Sequence, residues 1–325
     1  MEKIVAITVT YNRTGTLFRC LVSLLEQSEP VYKILVIDNN SRIREKEILK
    51  QFADKYNCID VLWLSENTGG AGGFEAGMKA ARERYDADWY WIMDDDAYPR
   101  PDCLAQLLDF QQQLPNVGGM CPLIYGIDLR EYQFYHHKRL EGWMLSERQI
   151  VHKYEELGDV VQVDANAFVG PLFSRKAVET VGIADGSLFI YGDDTEYTYR
   201  VSRKFGIYVV KSAIIEHQDP PLSNNYMSPD VWWKEYYSIR NKYFLIREFK
   251  NNVIIRTMAY TIITLKILKL MIAAAIKPKY KGYHKVRLKI LKMAVMDGLK
   301  NHRGKTLDPV RYREWISKKG GVLKT

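Results

Sequence analysis

Trp89-Tyr90-Trp91-Ile92-Met93-Asp94-Asp95-Asp96 runs five apolar, ring-rich residues straight into three consecutive carboxylates. The apolar run reads as a buried strand, so three like charges are forced together at the end of a sheet. Side chains alternate along an extended backbone, which puts Asp94 and Asp96 on the same side. Their hard oxygens suit Mg2+ or Mn2+ carrying a diphosphate. The bland alternative is a solvated acidic turn with one Asp capping the next helix. What surrounds the triplet favours the metal.

Toward the N-terminus, residues 4–10, 33–37 and 61–64 repeat the β-rich pattern. Residues 16–27, 43–56 and 74–85 carry helical period between them, with Leu17, Leu21, Leu24 and Leu25 on one face of the first. Such alternation belongs to an α/β fold, a mostly parallel sheet flanked by helices. In open sheets of this kind a ligand sits outside the carboxyl ends of the strands. Those ends are polar here: Thr10-Tyr11-Asn12-Arg13, Asp38-Asn39-Asn40-Ser41 and the Asp triplet. Asp38-Asn39 offers an acceptor and an amide suited to a uracil or thymine edge and a ribose, although the pair is equally a turn signal. The stretch Gly69-Gly70-Ala71-Gly72-Gly73 lets backbone approach a ligand at a helix start, where free N–H groups favour anions. It is no dinucleotide fingerprint, because it follows the third strand and lacks the G-x-G-x-x-G spacing.

Toward the C-terminus, residues 125–159 lose periodicity and read as a variable loop rich in rings, with His136 and His137 unassigned because such a loop fits surface histidines equally well. Order returns with a strand over 161–169, a short helix from Ser174, a helix over 194–205 and a strand over 207–210. Tyr191-Gly192-Asp193-Asp194-Thr195-Glu196 sets two carboxylates at a helix start. Asp194 is the natural base for an acceptor hydroxyl; the structural alternative is an N-cap, with Glu196 paired to Arg200. His217, after the strand-like Ala213-Ile214-Ile215, is a candidate second ligand type beside Asp96.

The chain has 325 residues, 47% apolar and 26% charged, enough for a full core and too apolar for disorder. Its four cysteines, Cys20, Cys58, Cys103 and Cys121, lack C-x-x-C spacing, which speaks against a zinc site or a disulfide framework and for a reducing cytoplasm. The apolar run after Met1 is too short for a secretory signal. Of a net charge of +8, residues 277–325 contribute fifteen Lys and Arg against three Asp and Glu. A mildly acidic body with a basic tail fits anionic lipid headgroups rather than nucleic acid. Residues 253–276 are apolar and long enough to cross a bilayer, which takes about 20 residues. Arg256, Lys266 and Lys269 lie within them, and a central cation costs roughly 2.5–3.5 kcal/mol. An interfacial helix is therefore expected rather than a span, or else a helix packed on the catalytic domain or on a second subunit of a homo-oligomer.

Taken in order, Val9-Thr10-Tyr11-Asn12-Arg13, Ile37-Asp38-Asn39, Asn67-Thr68-Gly69-Gly70, Met93-Asp94-Asp95-Asp96-Ala97 and Asp193-Asp194-Thr195-Glu196 resemble the motifs of glycosyltransferase family 2. The resemblance implies a Rossmann-like GT-A catalytic domain over 1–222, followed by an α-helical, basic C-terminal extension over 223–325. It implies a metal-dependent, inverting transfer of a sugar from a nucleotide donor. Thr10, Tyr11, Arg13, Asp38 and Asn67 would line the nucleotide pocket, joined in the donor site by Asn39, Gly70, Asp94 and Asp95. Asp96 would be the principal ligand of Mn2+ or Mg2+, with Asp94 and His217. Asp194, six residues before Arg200, would be the base.

The Gly-rich string, the Asp triplet and Asp193-Asp194-Thr195-Glu196-Tyr197 look most like bacterial galactofuranosyltransferases, which use UDP-galactofuranose. Next come rhamnosyltransferases, which use dTDP-rhamnose, and Tyr236-Tyr237-Ser238-Ile239-Arg240-Asn241 is similar to a segment found in both groups. The implied acceptor is a lipid-linked glycan for cell-surface polysaccharide, met by a cytoplasmic enzyme peripheral on the inner face of the membrane. A catalytically silent sugar-nucleotide scaffold would need no such convergence of carboxylates and imidazole. A nucleotidyltransferase would need a basic cluster near an N-terminal glycine loop, where only Arg13 stands.

Overall fold

A computed structural model describes residues 2–111, 113–150, 153–218 and 228–320. The chain forms two compact units. One comprises Met1–Leu140, Glu147–Gly186 and Asp193–Asp219; the other comprises Glu141–Ser146, Ser187–Gly192 and Pro220–Thr325.

The strands of the described residues are β1 (Ile4–Thr10), β2 (Lys33–Asp38), β3 (Ile59–Trp63), β4 (Trp89–Asp94), β5 (Ala97–Pro99), β6 (Val117–Gly126), β7 (His137–Glu141), β8 (Ser146–Gln149), β9 (Val160–Val163), β10 (Ala165–Asn166), β11 (Val169–Ser174) and β12 (Gly206–His217). The helices are α1 (Thr14–Leu25), α2 (Ile43–Ala53), α3 (Gly69–Arg84), α4 (Cys103–Gln111), α5 (Arg175–Val181), α6 (Asp193–Ser202), α7 (Trp232–Phe249), α8 (Val253–Ile276), α9 (His284–Lys300) and α10 (Pro309–Gly320).

The main sheet runs β3-β2-β1-β4-β11-β6-β12-β5, with β9 also on β12. β1, β2, β3 and β4 pair parallel, as does β6 with β12, while β11 lies antiparallel between β4 and β6. Period-two alternation splits the core into two layers. Ile4, Ala6, Trp91 and Met93 join Leu17 and Leu21 of α1 on one side. Val5, Ile7, Tyr90 and Ile92 join Phe74 and Met78 of α3 on the other. The architecture is that of the expected α/β class.

Three expectations are corrected. Helix α3 begins at Gly69 rather than residue 74. Gly69 takes φ 77, and Asn67 Oδ1 accepts its N–H at 2.9 Å, so the glycine stretch is the first turn of the helix rather than its approach. Residues 125–159 are not a plain loop, because they contribute β7 and β8 to a small sheet ordered β10-β7-β8. Its rings pack on one another, Tyr125 on Tyr132 and Tyr132 on Phe134, instead of marking a buried strand face by alternation. Residues 161–169 divide among β9, β10 and the start of β11, with Asp164 at the break accepting the Leu140 N–H at 2.9 Å. Strand β6 was not anticipated, since Gly118, Gly119 and Pro122 dilute its signal. Gly119 leaves room for the Phe173 ring.

Within the second unit, α8 packs on α7 and α9. A buried Arg287–Glu235 ion pair joins α9 to α7. The buried Arg240 donates to the carbonyls of Leu188 and Gly304, and Asn241 Nδ2 to those of Leu188, Ile190 and Tyr191. These bonds hold a loop in which Phe189 and Tyr191 adopt φ of 67 and 65, unfavourable for non-glycine residues.

Gly77 tests the fit of α3 on the sheet. A Cβ there would stand 2.6 Å from Ile7 Cγ2 and 3.0 Å from Ile37 Cγ1. Gly77→Val is expected to lower unfolding free energy by about 1–3 kcal/mol, measured by urea denaturation. An unchanged or raised midpoint would show that α3 does not seat this closely.

Candidate active site

Strand pairing assembles the site. Parallel register sets Asp94 beside Val9, so the ends of β1 and β4 open to the same side. After Asp94 the chain turns through Asp95 and Asp96 into β5, which pairs antiparallel with β12 and sets His217 opposite Ala97. The Gln218 N–H closes the register on Asp96 O at 3.0 Å. Residues far apart in sequence thereby meet. Among the described residues, Asp94, Asp96 and His217 each offer a ligand atom within 4.8 Å of the others.

Arg13, just past β1, spans the turn, with Nη1 2.9 Å from Asp95 Oδ1 and Nη2 2.8 Å from Asp96 Oδ2. Thr10 Oγ1 donates to Asp95 Oδ2 at 2.7 Å. Asp95 is thus buried and bonded to residues of the β1 end, whereas Asp94 and Asp96 stand partly exposed. Tyr11 is exposed. At the end of β2, Asp38 Oδ2 accepts the Ser41 N–H at 3.0 Å, while the buried Oδ1 has no partner among the described residues. Asn39 is engaged by its neighbours: Oδ1 accepts from Thr68 N–H at 2.9 Å, and Nδ2 donates to Gly69 O at 2.8 Å. Asn39 and Asn67 therefore brace the turn into α3. A Cβ added at Gly70 would meet open space.

His217 is oriented by a residue the sequence did not single out. The buried Gln133 has Oε1 3.2 Å from His217 Nδ1 and 3.2 Å from His136 Nε2. An amide oxygen only accepts, so His217 carries its proton on Nδ1 and turns Nε2 toward Asp96 Oδ1 at 3.3 Å. In the neutral ring a nitrogen lone pair then faces a carboxylate lone pair. That contact is satisfied by a second proton or by a cation shared between the two atoms.

The electrostatics make the same point. Burial raises Asp94 well above the usual carboxylate range, and Asp96, Asp95, Asp193 and Asp194 add to the shift in that order. Burial also lifts Asp95 to about 6, against Arg13 and Thr10. At Asp96 burial is outweighed by His217 and Arg13, which hold the carboxyl at about 2. Two carboxylates and an imidazole in an under-neutralised acidic cluster fit a divalent cation by donor type and by charge.

Asp193 and Asp194 open α6. Burial, then Asp194, pushes Asp193 to about 8. Burial also raises Asp194, with Lys138 pulling the other way. Asp194 Oδ1 accepts the adjacent Thr195 N–H at 2.6 Å, which is not an N-cap bond, while Glu196 pairs with Arg200 at 2.8 Å as the i,i+4 spacing implies. The Asp194 backbone is tied to β10: Thr198 Oγ1 donates to Asp194 O at 2.6 Å, and Asn166 N–H donates to Thr198 Oγ1 at 3.1 Å. His137 completes this chain, its Nδ1 donating to Asn166 Oδ1 at 2.6 Å. His137, unassigned on sequence grounds, is fully buried, and its Nε2 has no partner among the described residues. Gln133, Asn166, Thr198 and Lys138 escaped the sequence reading, and His137 carried no role in it. Their one signal was the density of rings and imidazoles from Tyr132 to His137.

Likeness to known proteins gives the family and the fold. Residues 5–182 match glycosyl transferase family 2, and the chain belongs to that family. It is 26% identical over 259 residues to galactofuranosyltransferase GlfT1 of Mycolicibacterium smegmatis, across 76% of this chain and 84% of that protein. It is 29% identical over 207 residues to galactofuranosyltransferase GlfT1 of Mycobacterium tuberculosis, across 62% of this chain and 65% of that protein, so it spans about two thirds of the latter's length. Among solved structures, GalNAc-T7 with UDP, GalNAc and Mn2+ superposes with a TM-score of 0.56 at 16% identity, covering 75% of this chain and 52% of that one. The fold is GT-A.

His137 gives the cluster a pH signature. Burial holds it at about 4 in the folded protein against an ordinary 6.5. The unfolded chain therefore takes up the proton first, and the stability this histidine contributes is full above pH 6.5 and lost as pH falls toward 4. By linkage the loss is up to about 3 kcal/mol. His137→Gln is expected to flatten the decline of unfolding free energy across that window by a comparable amount. Identical slopes in the two proteins would contradict a buried neutral imidazole.

Proposed function

We propose that this chain is an inverting, metal-dependent galactofuranosyltransferase. Its donor is UDP-galactofuranose, and its acceptor is a lipid-linked glycan of the cell surface, met on the cytoplasmic side of the membrane. The observation that carries the reading is the convergence of Asp94, Asp96 and His217 within 4.8 Å of one another at the mouth of the sheet, with Asp194 near enough for its charge to raise Asp94. The choice of sugar rests on likeness to the two galactofuranosyltransferases. The choice of a nucleotide donor and a divalent ion draws support from the fold neighbour that holds UDP and Mn2+. The unpartnered Asp38 Oδ1 is suited to a donor group of the base or ribose.

In this reading Asp96, Asp94 and His217 Nε2 would hold a divalent cation, with Gln133 keeping the His217 proton on Nδ1, and such an ion would supply screening of the donor's diphosphate charge. Arg13 steadies Asp95 and Asp96, and Asp38 orients the nucleoside. Asp194 accepts the proton of the acceptor hydroxyl while its oxygen bonds to the anomeric carbon on the face opposite the diphosphate. The anomeric carbon–oxygen bond breaks, its electron pair leaves with UDP, and the configuration inverts. The raised pKa of Asp194 makes it a stronger base than a solvated carboxylate.

A donor screen with UDP-galactofuranose, UDP-galactopyranose and dTDP-rhamnose, reading nucleotide release with Mn2+ and with chelator, tests the reading. Release is expected from UDP-galactofuranose, with loss in chelator. Asp194→Asn should lower kcat by at least about 100-fold and leave UDP affinity nearly intact. Wild-type rates in that variant would remove Asp194 as the base, and preferential turnover of dTDP-rhamnose would overturn the donor.

A further inference from the structure

Helix α8 carries two opposite apolar faces, and only one is covered. Ala259, Ile263, Ile267 and Ala274 are buried against the unit's own helices. Tyr243 of α7 and Thr264 share a hydrogen bond at 2.9 Å, and Tyr260 Oη donates to Tyr243 O at 3.1 Å. On the other side Ile254, Met258, Leu265, Leu268, Ile272 and Ile276 form a stripe along the full 24-residue helix, spaced as one helical face. Ile254 and Ile276 at its two ends are 71% and 72% exposed, and Leu265 and Ile272 between them 52% and 55%. A continuous exposed stripe of this kind marks a surface that something covers.

Charge identifies the occupant. Residues 253–292 hold ten Lys and Arg and no Asp or Glu. Lys266 and Lys269 are exposed on α8 itself. A second copy seated on the stripe would bring cations against cations with no acidic residue on α8 to answer them. An anionic lipid surface supplies both what the stripe lacks, hydrocarbon for the apolar residues and negative headgroups for the lysines. The covered face also sets the orientation. To cross a bilayer, α8 would have to shed its contacts with α7 and α9, helices that share the buried Arg287–Glu235 pair, or carry those charges into hydrocarbon. Its mean hydropathy of 1.8 therefore serves a helix lying along the surface.

We infer that α8 is an in-plane membrane-docking helix, which inserts the Ile254–Ile276 stripe among the acyl chains of an anionic leaflet while Lys266 and Lys269 meet its headgroups. The inference is independent of the sugar chemistry, and its test needs neither donor nor acceptor. The full chain is sedimented with vesicles of phosphatidylcholine alone and with vesicles half phosphatidylglycerol. Binding is expected to the anionic vesicles only and to weaken with added salt. Leu265→Asp/Leu268→Asp/Ile272→Asp and, separately, Lys266→Glu/Lys269→Glu should each weaken it at least about tenfold, with circular dichroism and UDP affinity unchanged. Failure to bind anionic vesicles, or variants that bind as the parent does, would overturn the inference. So would a dimer in solution that the triple Asp variant dissociates, or a membrane-bound chain that resists alkaline carbonate and needs detergent for release.

Discussion

Mutual repulsion among carboxylates is the constraint on which the first unit depends. Asp94, Asp96, Asp193 and Asp194 share one partly buried region, and their charges reinforce the cost of burial at Asp94. A fold does not bring acids together in low dielectric without something to balance them. Arg13 balances part, reaching across from β1 to Asp95 and Asp96. His217 faces Asp96 from β12, with its free nitrogen turned inward by Gln133. What remains is a surplus of negative charge at the carboxyl ends of β1 and β4, where an α/β sheet receives its ligand.

The rest of the first unit holds that surplus in shape. The β5–β12 pairing is short, and with the β6 register and Gln133 it sets His217 beside Asp96. The Asn39 and Asn67 bonds fix the entry to α3 and leave room at Gly70. The chain from His137 through Asn166 and Thr198 anchors the Asp194 backbone from below. Strand pairing and buried hydrogen bonds between the connecting segments together set the site's geometry.

How much of this was legible in the sequence varies with the kind of signal. Strands β1, β2 and β4 were readable because both their faces are buried, which yields unbroken apolar runs ending in polar residues. The Asp triplet was readable for the same reason. His217 could be proposed only from its place after a strand and from family resemblance, since the antiparallel β5–β12 pairing that brings it to Asp96 is a long-range contact with no local pattern. Gln133 and His137 were illegible for a different reason. Their segment buries rings against rings, so apolar periodicity, the main guide to secondary structure, is absent there. Residues 253–276 are ambiguous between interface and bundle on sequence grounds, and in the fold α8 buries one face on α7 and α9 and leaves an apolar stripe exposed on the other.

Diffraction from crystals grown with UDP and Mn2+, measured at the manganese absorption edge, addresses the shared cation directly. The expected result is one strong anomalous peak bonded to the Asp96 carboxylate and His217 Nε2, with Asp94 alongside. UDP bound at saturating Mn2+ with no peak there, and with Asp96 and His217 hydrogen-bonded only to each other, would contradict it.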